Sequence, residues 1–498
     1  MYYLGHDIGS SSVKAALVEA SQNEVIATAS YPDNGLPINS PKPGWAEQDP
    51  NEWWRCVIEV TKLLLNKSAI DKNEVLSIGI AYQMHGMVAL DKDLQVVRPS
   101  IIWCDSRAIE TGSSILSKVD RETCFRNLLN LPGNFTFSKL LWMKQNEPEN
   151  YKMTRWVMLP GDFIAMKMTN NITITPSGLS EGTMWDFDQE NVASFLFEYT
   201  GIDQKLIPEI KPTFSDQGNL CEEAATALGL STKVRVGYRA GDQPNNALSL
   251  GAINPGDIAA TGGTSGVIYA VDATNIVDKK SRVNSFAHVN NTGFDKRIGV
   301  LLCINGTGIQ YRWIKEITDS TSYENMEEEL SKIPAGSEGV TVLPFGNGAE
   351  RMFNNKIVSG NIFGLDFNRH SKSHLHRASL EGIAFSFQYG IEILKELGIN
   401  IKKIRVGNDN LFRSQTFSQM LSDLSGFPIE IVETTGAIGA ARGGAYGLGY
   451  FETLESAVGD VPIIKEYQPG QQNRKEACAF YERWKSHLEL LINDNHEY

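Results

Sequence analysis

The chain has 498 residues, 42% hydrophobic and 21% charged, the balance of a folded globular protein of roughly two to four domains. Its formal net charge of −13 argues against a nucleic-acid partner, whose phosphates require clustered cations, but leaves room for small anionic ligands held by local donors. The six cysteines show no CxxC, the N-terminal MYYLGHDIG has no basic stretch ahead of an apolar one, and no apolar run is long enough to cross a bilayer. The expectation is a cytoplasmic protein with reduced thiols and no membrane partner.

Residues 2–8 read as a short buried strand and 13–20 as its hairpin partner, joined by the small-residue turn Gly9-Ser10-Ser11-Ser12. Asp7, the turn residues Ser10, Ser11 and Ser12, and Lys14 form a candidate phosphate cradle, with Asp7 placed for a nucleotide-bound Mg²⁺. The same residues also suit a plain hairpin with Asp7 as a local cap. A third strand is expected at 25–30 and a Pro- and Asn-rich loop at 32–43. Asp49-Pro50-Asn51-Glu52 carries the marks of a helix start: an N-cap, a proline at the first position and a Glu completing a capping box. Trp45 is not explained by capping and is a candidate cleft wall.

A strand at 75–82 ends in Gln83-Met84-His85-Gly86, at the edge where α/β sheets gather their ligands. Gln83 and His85 there suit hydroxyls of a small molecule, or His85 is an ordinary loop residue. Residues 101–107 repeat the pattern. Trp103 offers an apolar face and Asp105 a carboxylate to a sugar, against the alternative of an Asp105–Arg107 pair at a helix start. Helices are expected from 134 to 146 and from 159, a loop at 176–188, surface helices or turns at 198–208 and 221–228, and a strand at 233–237.

Ala240-Gly241-Asp242-Gln243 then puts a carboxylate ahead of a helix start. A strand at 257–260, the turn Thr261-Gly262-Gly263-Thr264-Ser265-Gly266 and a strand at 266–271 form a second candidate cradle. Gly-Asp and Gly-Thr-Ser turns are individually common. A carboxylate beside one cradle, with a matching cradle in the first half, points to a base that activates a hydroxyl next to a bound nucleotide. Further strands fall near 297–304, 340–343 and 402–406, and helices near 324–331, 374–397, 414–424, 437–450 and 474–491. The organisation is two α/β halves, 1–240 and 241–498, each opening on a strand–turn–strand cradle.

These segments resemble the FGGY family of carbohydrate kinases, and within it the branch that phosphorylates xylulose. DIGSSSVK, GWAEQDPNEWW, YQMHG, IIWCDSRA, SKLLWMKQN and TGGTSG occur in the family's order, and GNIFGLDFNRHSKSHLHRASLEG fits a long signature of its second half. The resemblance implies two actin/hexokinase-like (ribonuclease H-like) ATPase domains flanking a central cleft, the first binding sugar and the second ATP. It implies ATP-dependent phosphorylation of the terminal hydroxyl of a ketopentose, D-xylulose first, with Mg²⁺ as cofactor.

Residue by residue, the resemblance implies Asp242 as the catalytic base, Met84 and His85 as sugar contacts, and Gln243 beside the base. It implies Asp7 on the metal side, Gly263 and Thr264 at the ATP phosphates, Gly306 and Gln310 as further ATP contacts, and Gly407 toward the adenosine. Gln243 stands where the xylulose branch has Asn, which keeps ribulose, fuculose and glycerol open as substrates. Gly407-Asn408-Asp409-Asn410 replaces a glycine run near the adenosine, and Asn134 departs from the first family signature. A non-catalytic sugar sensor or filament protein on the same fold is the alternative from another class, and a homodimer is the assembly to be tested.

Overall fold

The computed structural model describes residues 1–493. The chain begins with β1 (Tyr2–Ile8), β2 (Val13–Glu19) and β3 (Val25–Tyr31), an antiparallel meander. Helix α1 (Pro50–Ser68) follows. Asp49 caps it by accepting from the Asn51 N–H, but the expected capping box does not form, because Glu52 turns to an ion pair with Arg55 at 2.7 Å. Strand β4 (Val75–Tyr82) runs parallel to β1, and the long excursion that follows carries α2 (Thr136–Asn146), α3 (Pro160–Thr169) and α4 (Pro176–Glu181). Strand β5 (Arg235–Gly241) closes the sheet in the order β5-β4-β1-β2-β3.

The stretch 176–188 is not a loop throughout, as its composition suggests, but opens with a helix. It contains α4 because Thr175 accepts from the Gly178 N–H as an N-cap and Pro176 fills the first helical turn.

Helix α5 (Asp242–Ser249) leads into the second half, which repeats the plan: β6 (Asp257–Gly262) and β7 (Gly266–Asp272) as a hairpin, then the edge strand β8 (Asn284–Ala287) and β9 (Ile298–Ile304). Helices α6 (Gly308–Ile317) and α7 (Lys372–Glu396) precede β10 (Lys403–Gly407), and α8 (Gln415–Ser425) precedes β11 (Ile429–Val432). After α9 (Gly436–Gly447), β12 (Ile463–Tyr467) and α10 (Gln471–Asn493) complete the lobe. The second sheet runs β8-β9-β7-β6-β10-β11-β12. Its inner five strands, β9-β7-β6-β10-β11, have the order and directions of β3-β2-β1-β4-β5, so the two halves share one topology.

Helix α9 departs from that symmetry. It belongs to the second half in sequence but lies on the first sheet, against β1, β4 and β5. Its tight seat is provided by glycines. A Cβ on Gly5 would overlap the Ala437 carbonyl, and one on Gly79 would overlap that of Ala440. Apolar side chains of α9 and of β1 and β2 form a separate small core at this contact, including Tyr3, Ala16, Val18, Ala437, Ile438 and Ala441. The first lobe also reaches the edge strand β8 directly. Asn130 donates to the Ser285 carbonyl at 2.6 Å and accepts from the Ser285 N–H at 3.0 Å, pairing with it as a further strand would. No helix among the described residues is long and apolar enough to cross a membrane.

Candidate active site

The carboxyl ends of three parallel strands meet on one edge of the first sheet, since Tyr82 pairs with Ile8 on one side and with Gly241 on the other. Ligands of α/β sheets collect at such an edge. The register sets Asp7 and the 9–12 turn, the 83–86 turn, and Asp242 side by side. Asp242 opens α5 and lies close enough to Asp7 that the Asp7 charge disfavours its ionised form. Burial, then Asp7, push Asp242 up to about 7, with Gln243 donating hydrogen bonds that oppose the rise. Asp7 is also raised by burial, offset in part by Lys14, its cross-strand partner. Gly436, at the N-terminus of α9, sits against the Asp7 carboxylate, and its carbonyl accepts from the Asn245 side chain at 2.8 Å. The helix end, Asn245 and Asp7 thus form one polar cluster.

His85 adopts the left-handed conformation, φ 61°, a strained choice for a side chain of its size. Two contacts hold it there. Its ring Nδ1 lies 2.9 Å from the Glu181 carbonyl, and its own carbonyl accepts from the Lys139 ammonium at 2.7 Å. Burial keeps the imidazole neutral, with its pKa pushed down to about 3. A neutral ring that donates Nδ1–H to a carbonyl presents Nε2 as an acceptor, which suits a sugar hydroxyl. Lys139 is fully buried, and its second hydrogen bond, 3.0 Å to the Ile102 carbonyl, ties the 83–86 turn to the loop that carries Trp103.

Met84 packs beneath Gly241 together with Glu181. Gln83 is buried under the floor, donating to the Gln48 side chain at 3.1 Å. Trp103 lies beside the 9–12 turn, 52% exposed, with its indole N–H 3.4 Å from Ser10 Oγ. Ser11 and Lys14 are exposed around the same turn and Ser12 is half-buried, accepting from the Gly9 N–H at 3.0 Å.

Asp105 does not offer its carboxylate to a sugar. It is wholly buried, and its oxygens are taken by the Ala46 N–H at 2.5 Å and by the backbone and guanidinium of Arg107. It is therefore sealed from the cleft and shapes the loop instead. Arg107 in turn bonds Glu47 at 2.7 Å and lies 3.7 Å over the Trp45 ring, so Trp45 is a platform for that cation rather than a free wall.

In the second lobe Thr264 is exposed at the tip of the 262–265 turn. The carbonyls of Gly263 and Thr264 accept from the first N–H groups of α6, Gly308 and Ile309, both at 3.1 Å. Beside the turn lies a 460 Å³ cavity lined by Gly262, Gly263, Gly308, Tyr311, Asn410 and Arg413, among others.

Two expected nucleotide contacts are not brought to this cavity. Gly306 is buried against the Pro344 carbonyl and spends its N–H on Glu350 at 3.1 Å. Gln310 lies on the other face of α6, donating to Ser379 at 3.2 Å and lining a separate 390 Å³ cavity with Trp313 and Gly360. Gly407 ends β10 one step back from the cavity, and Asn410 reaches it in its place. A larger cavity of 790 Å³, lined by Trp185, Phe214 and Tyr446, lies away from both carboxylates.

Lys139, Glu181, Asn245 and Gly436 belong to the site but were not singled out from the sequence. Lys139 has a visible signal, a lone cation in the apolar face of Thr136–Met143. The others have none.

Models of the FGGY family of carbohydrate kinases match this chain twice, the N-terminal domain over residues 2–249 and the C-terminal domain over 258–448. A xylulose kinase of Klebsiella pneumoniae is 30% identical over 89% of this chain and 88% of its own. One of Bacillus subtilis is 29% identical over 99% and 96%. The crystal structure of a xylulose kinase from Rhodospirillum rubrum superposes with a TM-score of 0.88 at 26% identity, covering 99% of both chains. The likeness spans both lobes, and the expected pair of actin/hexokinase-like domains is present.

Proposed function

Because the chain belongs to the FGGY family of carbohydrate kinases, and is thus a sugar-phosphorylating enzyme, we propose that it transfers the γ-phosphoryl group of ATP to the terminal hydroxyl of D-xylulose, giving D-xylulose 5-phosphate. The observation that supports this reading is the meeting of Asp242, Asp7 and a hydrogen-bond-accepting His85 at one edge of the first sheet. The names of the relatives support the sugar. All six cysteines are free, which supports a cytoplasmic setting.

Phosphoryl transfer leaves the protein mostly alignment and charge placement to supply. His85 Nε2 accepts from a sugar hydroxyl and Met84 walls the pocket, while Trp103 covers its mouth. Asp242 accepts the proton of the attacking terminal hydroxyl, with Gln243 orienting its carboxylate. Ser10, Ser11, Ser12 and Lys14 on one side, and Gly263 and Thr264 on the other, hold the phosphates, with the nucleoside toward the cavity at Asn410. Two neighbouring carboxylates fit a divalent cation, since Mg²⁺ takes one or two carboxylates and keeps several waters. Asp7 would hold Mg²⁺, which when bound supplies positive charge to the triphosphate.

An ADP-release assay over D-xylulose, ribulose, fuculose and glycerol tests the reading. D-xylulose is expected to give the highest kcat/KM. Preference for another sugar corrects the substrate, and absence of any sugar-dependent release overturns the enzyme assignment. Gln243 is the residue that favours extending the panel.

The raised Asp242 also sets a pH dependence. The base works only when deprotonated, and a carboxyl titrating at about 7 is mostly protonated at pH 6. Mg²⁺ held by Asp7 would offset that neighbour's charge and leave burial as the cause of the rise, so the acid limb of kcat/KM, about tenfold per unit, should lie above the ordinary carboxylate value of about 4 and not beyond about 7. A limb at about 4 would contradict the buried environment described for Asp242.

A further inference from the structure

The second lobe places in the cleft a cation that the mechanism above does not use. Arg351 opens the short 3-10 turn Arg351–Phe353, which packs against β9. Its Nη1 donates to the Asn284 side-chain oxygen, and no carboxylate among the described residues lies within ion-pair distance of it. Its neighbour Glu350 is committed elsewhere, accepting from the Asn305 and Gly306 N–H groups at 3.0–3.1 Å. A half-buried guanidinium without a counter-ion is costly unless a ligand completes it.

Its location follows from β8. Asn284 and Phe286 are two residues apart and project from the same face of the strand. The Phe286 ring lies 5.6 Å from the His85 imidazole and 6.0 Å from Phe135. Arg351, held on Asn284, therefore stands beside the aromatic wall that carries His85. Cys303 is also near it, on β9, where it pairs with Val267 of β7 just beyond the 262–265 turn. Arg351 and Asp242 both act on the Cys303 thiol, and Arg351 adds to the forces that keep His85 neutral.

The guanidinium is also aimed. The Asn284 amide donates to the Asn130 oxygen at 3.0 Å, which leaves its own oxygen for Arg351. Asn130 comes from the first lobe and is 3% exposed, so the contact that orients Arg351 crosses the cleft.

The chemistry of the pocket gives this cation a task. Asp242 and His85 Nε2 are hydrogen-bond acceptors and serve hydroxyl groups. An open-chain ketose also carries a carbonyl oxygen, which can only accept and needs a donor. We propose that Arg351 is a sugar-binding residue of the second lobe whose free N–H groups donate to the carbonyl oxygen of the ketose, selecting ketoses over the corresponding polyols. This rests on the kinase reading above. Sugar-dependent ADP release by the unaltered enzyme tests that reading separately.

The test uses Arg351→Gln and Arg351→Lys. Loss of a charged hydrogen bond corresponds to about a 10- to 100-fold rise in the KM for D-xylulose. The KM for ATP should stay within about twofold. Xylitol and D-arabitol, the two alcohols obtained by reducing that carbonyl, should keep their competitive inhibition constants within about twofold. Arg351→Lys, which retains a charged donor without the planar fork, should recover part of the loss. An equal weakening of ketose and polyols, a fall in kcat at constant sugar KM, or no change in either variant would each overturn the assignment. Should Arg351→Gln not fold, the same ketose-to-polyol comparison on Arg351→Lys decides, with a selective rise in ketose KM expected and an unchanged one overturning it.

Discussion

Asp242→Ala is expected to lose about 10²–10⁴-fold in kcat, the usual range for removal of a general base, while ATP affinity stays within about twofold. The carboxylate opens α5 at the end of β5, beside Asp7, and its burial and that neighbour's charge already disfavour its ionised form. The protein therefore carries an ionised Asp242 at a cost to its own stability, and alanine removes that cost. The variant should unfold at the same denaturant concentration as the parent or a higher one, which separates lost chemistry from lost fold. Asp242→Asn keeps the shape and hydrogen-bonding capacity and should be nearly as inactive. Single-turnover ADP formation together with equilibrium nucleotide binding checks both halves. Parental kcat in either variant would remove Asp242 from the role of base, whatever the sugar.

Asp242 was legible because its surroundings are local. A glycine, an acid and a helix start occur in consecutive residues, and the nearby Gly-Thr-Ser turn is short enough to recognise without tertiary information. The 9–12 turn was legible for the same reason, since β1 and β2 are adjacent in the chain and their register fixes it. Asp105 shows where that legibility stops. An acid after a tryptophan looks like a sugar ligand, yet which way it faces depends on Ala46 and Arg107 closing over it, and no periodicity reports that. Gln310 fails in a related way. Its position on α6 is as expected, but the helix rotation that sends it to Ser379 is set by packing against α7.

Helix α4 was missed because Ser- and Gly-rich sequence has low intrinsic helicity, and its first turn is secured by Thr175 together with Pro176. Arg351 could not be singled out at all. What distinguishes it is the carboxylate it lacks, and that is a property of the folded cleft.

Gly79→Ala is expected to destabilise the protein by about 1–3 kcal/mol or more, a size set by overpacking. Two effects of opposite sign compete. Replacing a strand glycine by alanine ordinarily gains about 0.5–1 kcal/mol through the unfolded chain. Here the new Cβ would fall on the Ala440 carbonyl and meet the Gly444 N–H. These are backbone atoms of a helix that cannot give by rotating a side chain, so the steric term wins. Gly5 and Gly237 hold the same relation to Ala437 and Gly444, so α9 crosses β1, β4 and β5 on one glycine per strand, with contacts at helical spacing along one face. Lifting the middle of that contact shifts the whole helix. Its first residue, Gly436, is the one that abuts Asp7 and accepts from Asn245. The substitution lies on the helix-facing side of β4 and touches no residue assigned to substrate, yet it should lower kcat as well as the urea midpoint. Urea unfolding and steady-state kinetics on the same preparation test the coupling. Unchanged stability would show that α9 can rise without strain, and full activity in a destabilised variant would show that the seat of α9 and the carboxylate cluster are independent.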